Sequence, residues 1–221
     1  METFVEFLSQ PETLIVWLAV MIPSQIILWR DLRATNAHLM GLMKLVWGLT
    51  VLYSGPLGLL IYWTSGRKQI ARDSLPRRAF RSVAHCYSGC GMGEVAGLII
   101  AVGLLQLSTP WVAGITFALA YLGGFALTVG PLMQEGVALR TAIWDAIVSE
   151  TPSITVMEVV AISVDLTLSG SVGMGEPLFW SAMIVSLSMG LFAAWPVNLL
   201  LIHWGVKGGM MDPRETDHAH D

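Results

Sequence analysis

Six stretches of mostly apolar residues, each long enough to cross a hydrocarbon core of about 30 Å, recur along this chain and leave it few choices of fold. They fall near 13–29, 39–63, 84–107, 112–133, 153–171 and 178–205. Composition agrees: 54% of residues are hydrophobic, 13% are charged and the mean hydropathy is +0.65, more apolar surface than a soluble domain can cover. In lipid the backbone must satisfy its own polar groups, and no stretch alternates like a barrel strand. The expected fold is therefore all-α, a polytopic membrane helical bundle of about six transmembrane helices. A short interfacial amphipathic helix is expected over 134–150, "QEGVALRTAIWDAIVSE", which is too polar to cross; "SETPS" then restarts a helix, with Thr151 as N-cap and Pro152 first.

The first span is read as a span rather than a signal peptide, because Glu2, Glu6 and Glu12 precede it without a Lys or Arg. The chain reads as one membrane domain: two N-terminal spans over 1–65, a basic loop over 66–83, a four-span region over 84–205 and a tail over 206–221. With the N-terminus inside, Arg67, Lys68, Arg72, Arg77, Arg78, Arg81, Arg140, Lys207 and Arg214 face the cytoplasm, against Arg30, Arg33 and Lys44 outside. The expectation is a protein of the cytoplasmic (inner) membrane with both termini cytoplasmic. Its basic loop is suited to anionic headgroups of the lipid bilayer and not to nucleic acid.

Chemistry concentrates in two places, the first being "HCYSGCGMGEVAG" at 85–97. Cys86, Cys90 and Glu94 recur every four residues and so share a helix face with Gly89, Gly93 and Gly97. The third span is expected to begin here, so Cys86 lies in the first helical turn, where the dipole and the upstream Arg81 favour a thiolate. Thiolates suit Cu or Zn, and His85 joins them only from an irregular helix start. Buried cysteines also serve as inert packing, but an acid inside a membrane span costs at least about 2.5 kcal/mol.

The second place is the fifth span, "TPSITVMEVVAISVDLTLSG", where Glu158 and Asp165 are seven apart and lie on one face. No Lys or Arg lies within the span to pair them. They must be protonated, share a proton or hold a cation from elsewhere, unless they serve as hydrogen-bond glue between helices. In the sixth span Asn198 and His203 extend this ion or proton path, and His203 leaves haem ligation open. Met210, Met211, His218 and His220 in the tail form either a weak soft-metal site or a solvated segment.

"HCYSGCGMGE" resembles the His-Cys-x-x-Gly-Cys-x-x-Gly-acid signature of a small integral membrane family of bacteria and archaea, catalogued as a domain of unknown function. "HWGVKGGM" in the last helix is similar too. The resemblance covers roughly 80 to 210 and implies membrane spans and a role for His85, Cys86, Cys90 and Glu94, with no mechanism attached.

There is no phosphate-binding loop, no nucleophile elbow, no CxxCH haem attachment and no lysine inside the later spans. An ATP-driven pump is excluded for this chain alone, and a non-enzyme is expected. The leading reading is membrane transport or handling of a transition-metal ion of the Cu or Zn class, coupled to protons through Glu94, Glu158 and Asp165. The alternative is a non-catalytic accessory subunit of a larger membrane complex or homo-oligomer, with or without a cofactor. A thiol redox enzyme using Cys86 and Cys90 ranks last.

Overall fold

The computed structural model describes residues 1–134, 136–170 and 172–215. Helices account for the regular structure among them: α1 (Glu2–Leu8), α2 (Pro11–Ala34), α3 (Gly41–Ser54), α4 (Pro56–Ser65), α5 (Leu75–Leu98), α6 (Thr109–Gln134), α7 (Leu139–Leu168) and α8 (Pro177–His203). A π-helical segment, Ile99–Leu104, prolongs α5. Five of these helices are long and apolar enough to cross a membrane, namely α2, α5 with its extension, α6, α7 and α8.

The expected second span is two helices. Gly55 breaks it with a φ of 55°, a backbone open to glycine, and Pro56 starts α4. The two helices then fold back on each other as a hairpin. Trp47 meets Tyr62 edge-on at 5.3 Å, and a Cβ on Gly58 would lie 2.7 Å from the Thr50 carbonyl oxygen. The hairpin dips only part-way into the bundle: near its tip, the Tyr53 ring packs on Gly91, midway along α5.

This hairpin gathers chain ends that six alternating spans would separate. Asp31, near the end of α2, accepts hydrogen bonds from Tyr62 Oη at 2.7 Å, Asn36 Nδ2 at 2.8 Å and Arg67 at 3.0 Å. His38 reaches the Pro213 carbonyl of the tail at 2.9 Å. The end of α2 and both ends of the hairpin therefore meet the start of α5 and the tail at one end of the bundle. Residues from the end of α6 and the start of α7 line a cavity there with residues of the tail. All twelve Lys and Arg lie at or beside this basic end. The start of α2 lies about 36 Å away, so Met1 and the tail sit at opposite ends.

Two further expectations change. The expected interfacial helix and the fifth span are one continuous helix, α7, with Pro152 inside it rather than at a start. The Tyr121 hydroxyl, bonded to the Thr151 carbonyl and paired with Thr155 Oγ1, braces α7 beside that proline. Likewise α5 begins at Leu75 after Ser74, ten residues before His85. The expected loop over 66–83 is correspondingly short, with Arg77, Arg78 and Arg81 on the helix.

The glycines of α5 let α6 approach to backbone contact. A Cβ on Gly89 would stand 2.6 Å from the Gly123 carbonyl oxygen, and one on Gly97 would stand 2.8 Å from the Thr116 Cα. The same antiparallel logic runs through α7 and α8, where Gly190 faces Met157 and Ala161. Up-and-down packing of α5 to α8 sets the frame, and the hairpin lies against its α5 and α8 side.

Candidate functional site

The α5 stripe points inward. Cys86, Cys90 and Glu94 are buried, with Glu94 only 3% exposed. Because Cys86 is nearly three turns inside α5, the helix-start dipole does not reach it, and the reasoning that favoured a thiolate there falls away. Both thiols are free, with Sγ atoms 4.0 Å apart, about twice the length of a disulfide bond.

Across from them, α7 presents Glu158, 1% exposed, and Asp165, half-buried. The Glu158 carboxyl lies beside the Cys90 thiol. Glu158 and Asp165 both lie within Coulombic range of Glu94. Tyr53 at the hairpin tip and Tyr87 also lie within Coulombic range of Glu94, and Tyr87 Oη shares a 2.8 Å hydrogen bond with Ser54. One oxygen of Glu94 and one of Glu158 are buried without a hydrogen-bond partner among the described residues. Three acids from two helices thus converge in the interior, and two of them retain lone pairs unspoken for.

His85 does not join the thiols. It faces the basic end, where Glu150 and Lys207 lie within Coulombic range of it. There Lys207 Nζ donates to Glu150 Oε2 at 2.6 Å and to Asn198 Oδ1 at 3.0 Å. Asn198 also accepts from Ser82 at 2.9 Å and donates to Ser153 and to the Ala194 carbonyl. Arg81, 1% exposed, bonds Asp73 at 2.7 Å and the carbonyls of Ser65 and Met210. Outside the spans, the Arg214 guanidinium holds the Asp212 carboxyl below the usual carboxylate range.

The structure therefore divides the residues that the sequence pointed to. Cys86, Cys90, Glu94, Glu158 and Asp165 share the interior, whereas Asn198 belongs to the network at the basic end and His85 lies beside it without bonding to it. His203 is exposed at the last turn of α8. Met210 and Met211 line the cavity at the basic end; His218 and His220 lie outside the described residues. Among the described residues, no three His, Cys, Asp or Glu side chains gather closely enough to hold a metal ion. The buried pair Lys207 and Glu150 went unanticipated. Carrying the helix through Pro152 was the step that would have brought Glu150 and Ser153 into the bundle.

The family described as "Domain of unknown function (DUF4396)" matches residues 76–207, more than half of the chain. That range contains His85, Cys86, Cys90, Glu94, Glu158, Asp165 and Lys207 and leaves α1 to α4 outside it. No curated protein and no solved structure matches the chain.

Proposed function

The chain belongs to the DUF4396 family, a domain of unknown function; from its buried acids we propose that it carries a cation across the membrane through the interface of α5 and α7. The observation that carries this reading is the pair Glu94 and Glu158, buried within Coulombic range of each other, each with an oxygen that has no hydrogen-bond partner among the described residues. Orphaned carboxylate oxygens in a low-dielectric interior are costly unless a proton or a metal ion occupies them. Asp165 extends the acids towards the far end, and the Cys86 and Cys90 thiols beside Glu158 bias the path towards a soft ion of the Cu or Zn class. In this reading the donors are stepping points that an ion visits in turn, which is consistent with no closed ligand set among the described residues.

The orientation that fits places the basic end, and with it the tail, in the cytoplasm of the inner membrane. Met1 then lies on the outer face, in place of the cytoplasmic N-terminus expected from six spans. Reconstitution into liposomes with an internal metal-sensitive dye and an internal pH dye tests the function. Metal-driven or proton-driven signals above protein-free vesicles support transport. Flat traces for both, with a partner protein co-purifying, favour the accessory subunit.

A further inference from the structure

We propose that the cavity at the basic end is a docking site for a soft monovalent metal ion of the Cu(I) class, held by a subset of the donors that line it: the thioethers of Met40, Met43, Met210 and Met211 and the imidazoles of His38 and His85. The cavity has a volume of about 640 Å³, and these six side chains line it from three separate parts of the chain. Met40 and Met43 come from the start of α3, Met210 and Met211 from the tail, and His85 from α5. Thioether and imidazole favour Cu(I); of the carboxylates that also line the cavity, Glu150 is taken by Lys207 and Asp212 by Arg214, which leaves Asp145 and Glu215 as the oxygen donors for a hard ion.

Two features beyond this composition point to a ligand. First, His38 Nε2 meets the Pro213 carbonyl at 2.9 Å. A carbonyl only accepts, so Nε2 carries the hydrogen and Nδ1 of the neutral ring keeps its lone pair. A backbone carbonyl fixing one ring nitrogen is the usual support for a histidine whose other nitrogen binds metal. Second, His85 is 5% exposed yet makes no side-chain hydrogen bond among the described residues, so its ring faces the cavity without a protein partner.

The cations of the cavity wall do not oppose a bound ion strongly, because each is already paired. Lys207 is bonded to Glu150, Arg81 to Asp73. The tail is anchored through its backbone, Met210 by its carbonyl to Arg81 and Pro213 by its carbonyl to His38, which leaves the thioethers of Met210 and Met211 out of the anchoring hydrogen bonds. The site rests on the cation-path reading for its role, as the cytoplasmic station before the buried acids, while its ligands are independent of that path.

Ag(I), a soft monovalent ion without redox chemistry in buffer, is the probe. The full chain in detergent would carry Cys86→Ser, Cys90→Ser, His218→Ala and His220→Ala, which removes both thiols and the imidazoles of the tail. Competition titration should show saturable Ag(I) binding in this background, weakened about tenfold or more when Met40, Met43, Met210 and Met211 are all changed to Leu. Leucine keeps the volume of methionine, and ¹³C-methyl methionine spectra of the background protein supply a readout that does not depend on the quadruple variant folding. Shifts on Ag(I) addition confined to Met40, Met43, Met210 and Met211 are expected. No saturable binding in the background, unchanged affinity in a folded quadruple variant, or shifts at other methionines would each overturn the site. Silver bound here in a protein that moves no cation in liposomes would remove the path reading and uphold the site; transport without silver at these methionines would do the reverse.

Discussion

Lys207, four residues past the end of α8, places its ammonium 2.6 Å from Glu150 on α7, and both side chains are buried. Two opposite charges withdrawn from water together are tolerable, whereas one alone is not. Lys207→Met should therefore lower stability by about 3–5 kcal/mol, since it strands Glu150. Lys207→Met with Glu150→Leu should recover most of that loss. Thermal unfolding in detergent, followed by tryptophan fluorescence, reads both; a double variant as unstable as the single would contradict the pairing.

A second prediction concerns the α5 and α6 interface. Gly93 lies against the backbone of Leu119, so Gly93→Leu forces the helices apart and should cost at least about 1–3 kcal/mol. At Gly114 a Cβ would meet nothing within 4 Å, so Gly114→Ala should not lower the melting temperature and should raise it slightly, because alanine is the better helix former.

The hairpin gives a topological prediction. In a Cys86→Ser, Cys90→Ser background, single cysteines at Ser9 and at Gly175 should both react with an impermeant maleimide on intact cells. A cysteine at Glu215 should react only after permeabilisation. Protection of Ser9→Cys in intact cells would restore the six-span arrangement and remove the hairpin.

Much of this was legible in the sequence, for reasons that differ by element. Length and hydropathy set the boundaries of α6 and α8 closely, because each is uniformly apolar and ends in a turn. The four-residue spacing of Cys86, Cys90 and Glu94 predicted their shared burial because helical period alone decides it. The break at Gly55 was hidden because an apolar run reads alike whether it crosses or turns back; only the contacts of Trp47 with Tyr62 and of Gly58 with Thr50 distinguish the two. Pro152 misled in the opposite direction, since membrane helices continue through proline when neighbours satisfy the freed backbone. The cavity was out of reach for a third reason: His38, Met43 and Met210 meet only through the tertiary fold.

The central claim is that the acids of α5 and α7 conduct a cation. The amides of Glu158→Gln and Asp165→Asn are isosteric with the acids and still form hydrogen bonds, so each variant should assemble and melt like the parent. Metal or proton flux into liposomes, measured side by side for the parent and the two variants at equal protein, is the most direct test. The account predicts that parent flux is abolished or nearly so in both variants. Parent-level flux through a well-folded Glu158→Gln protein would contradict it.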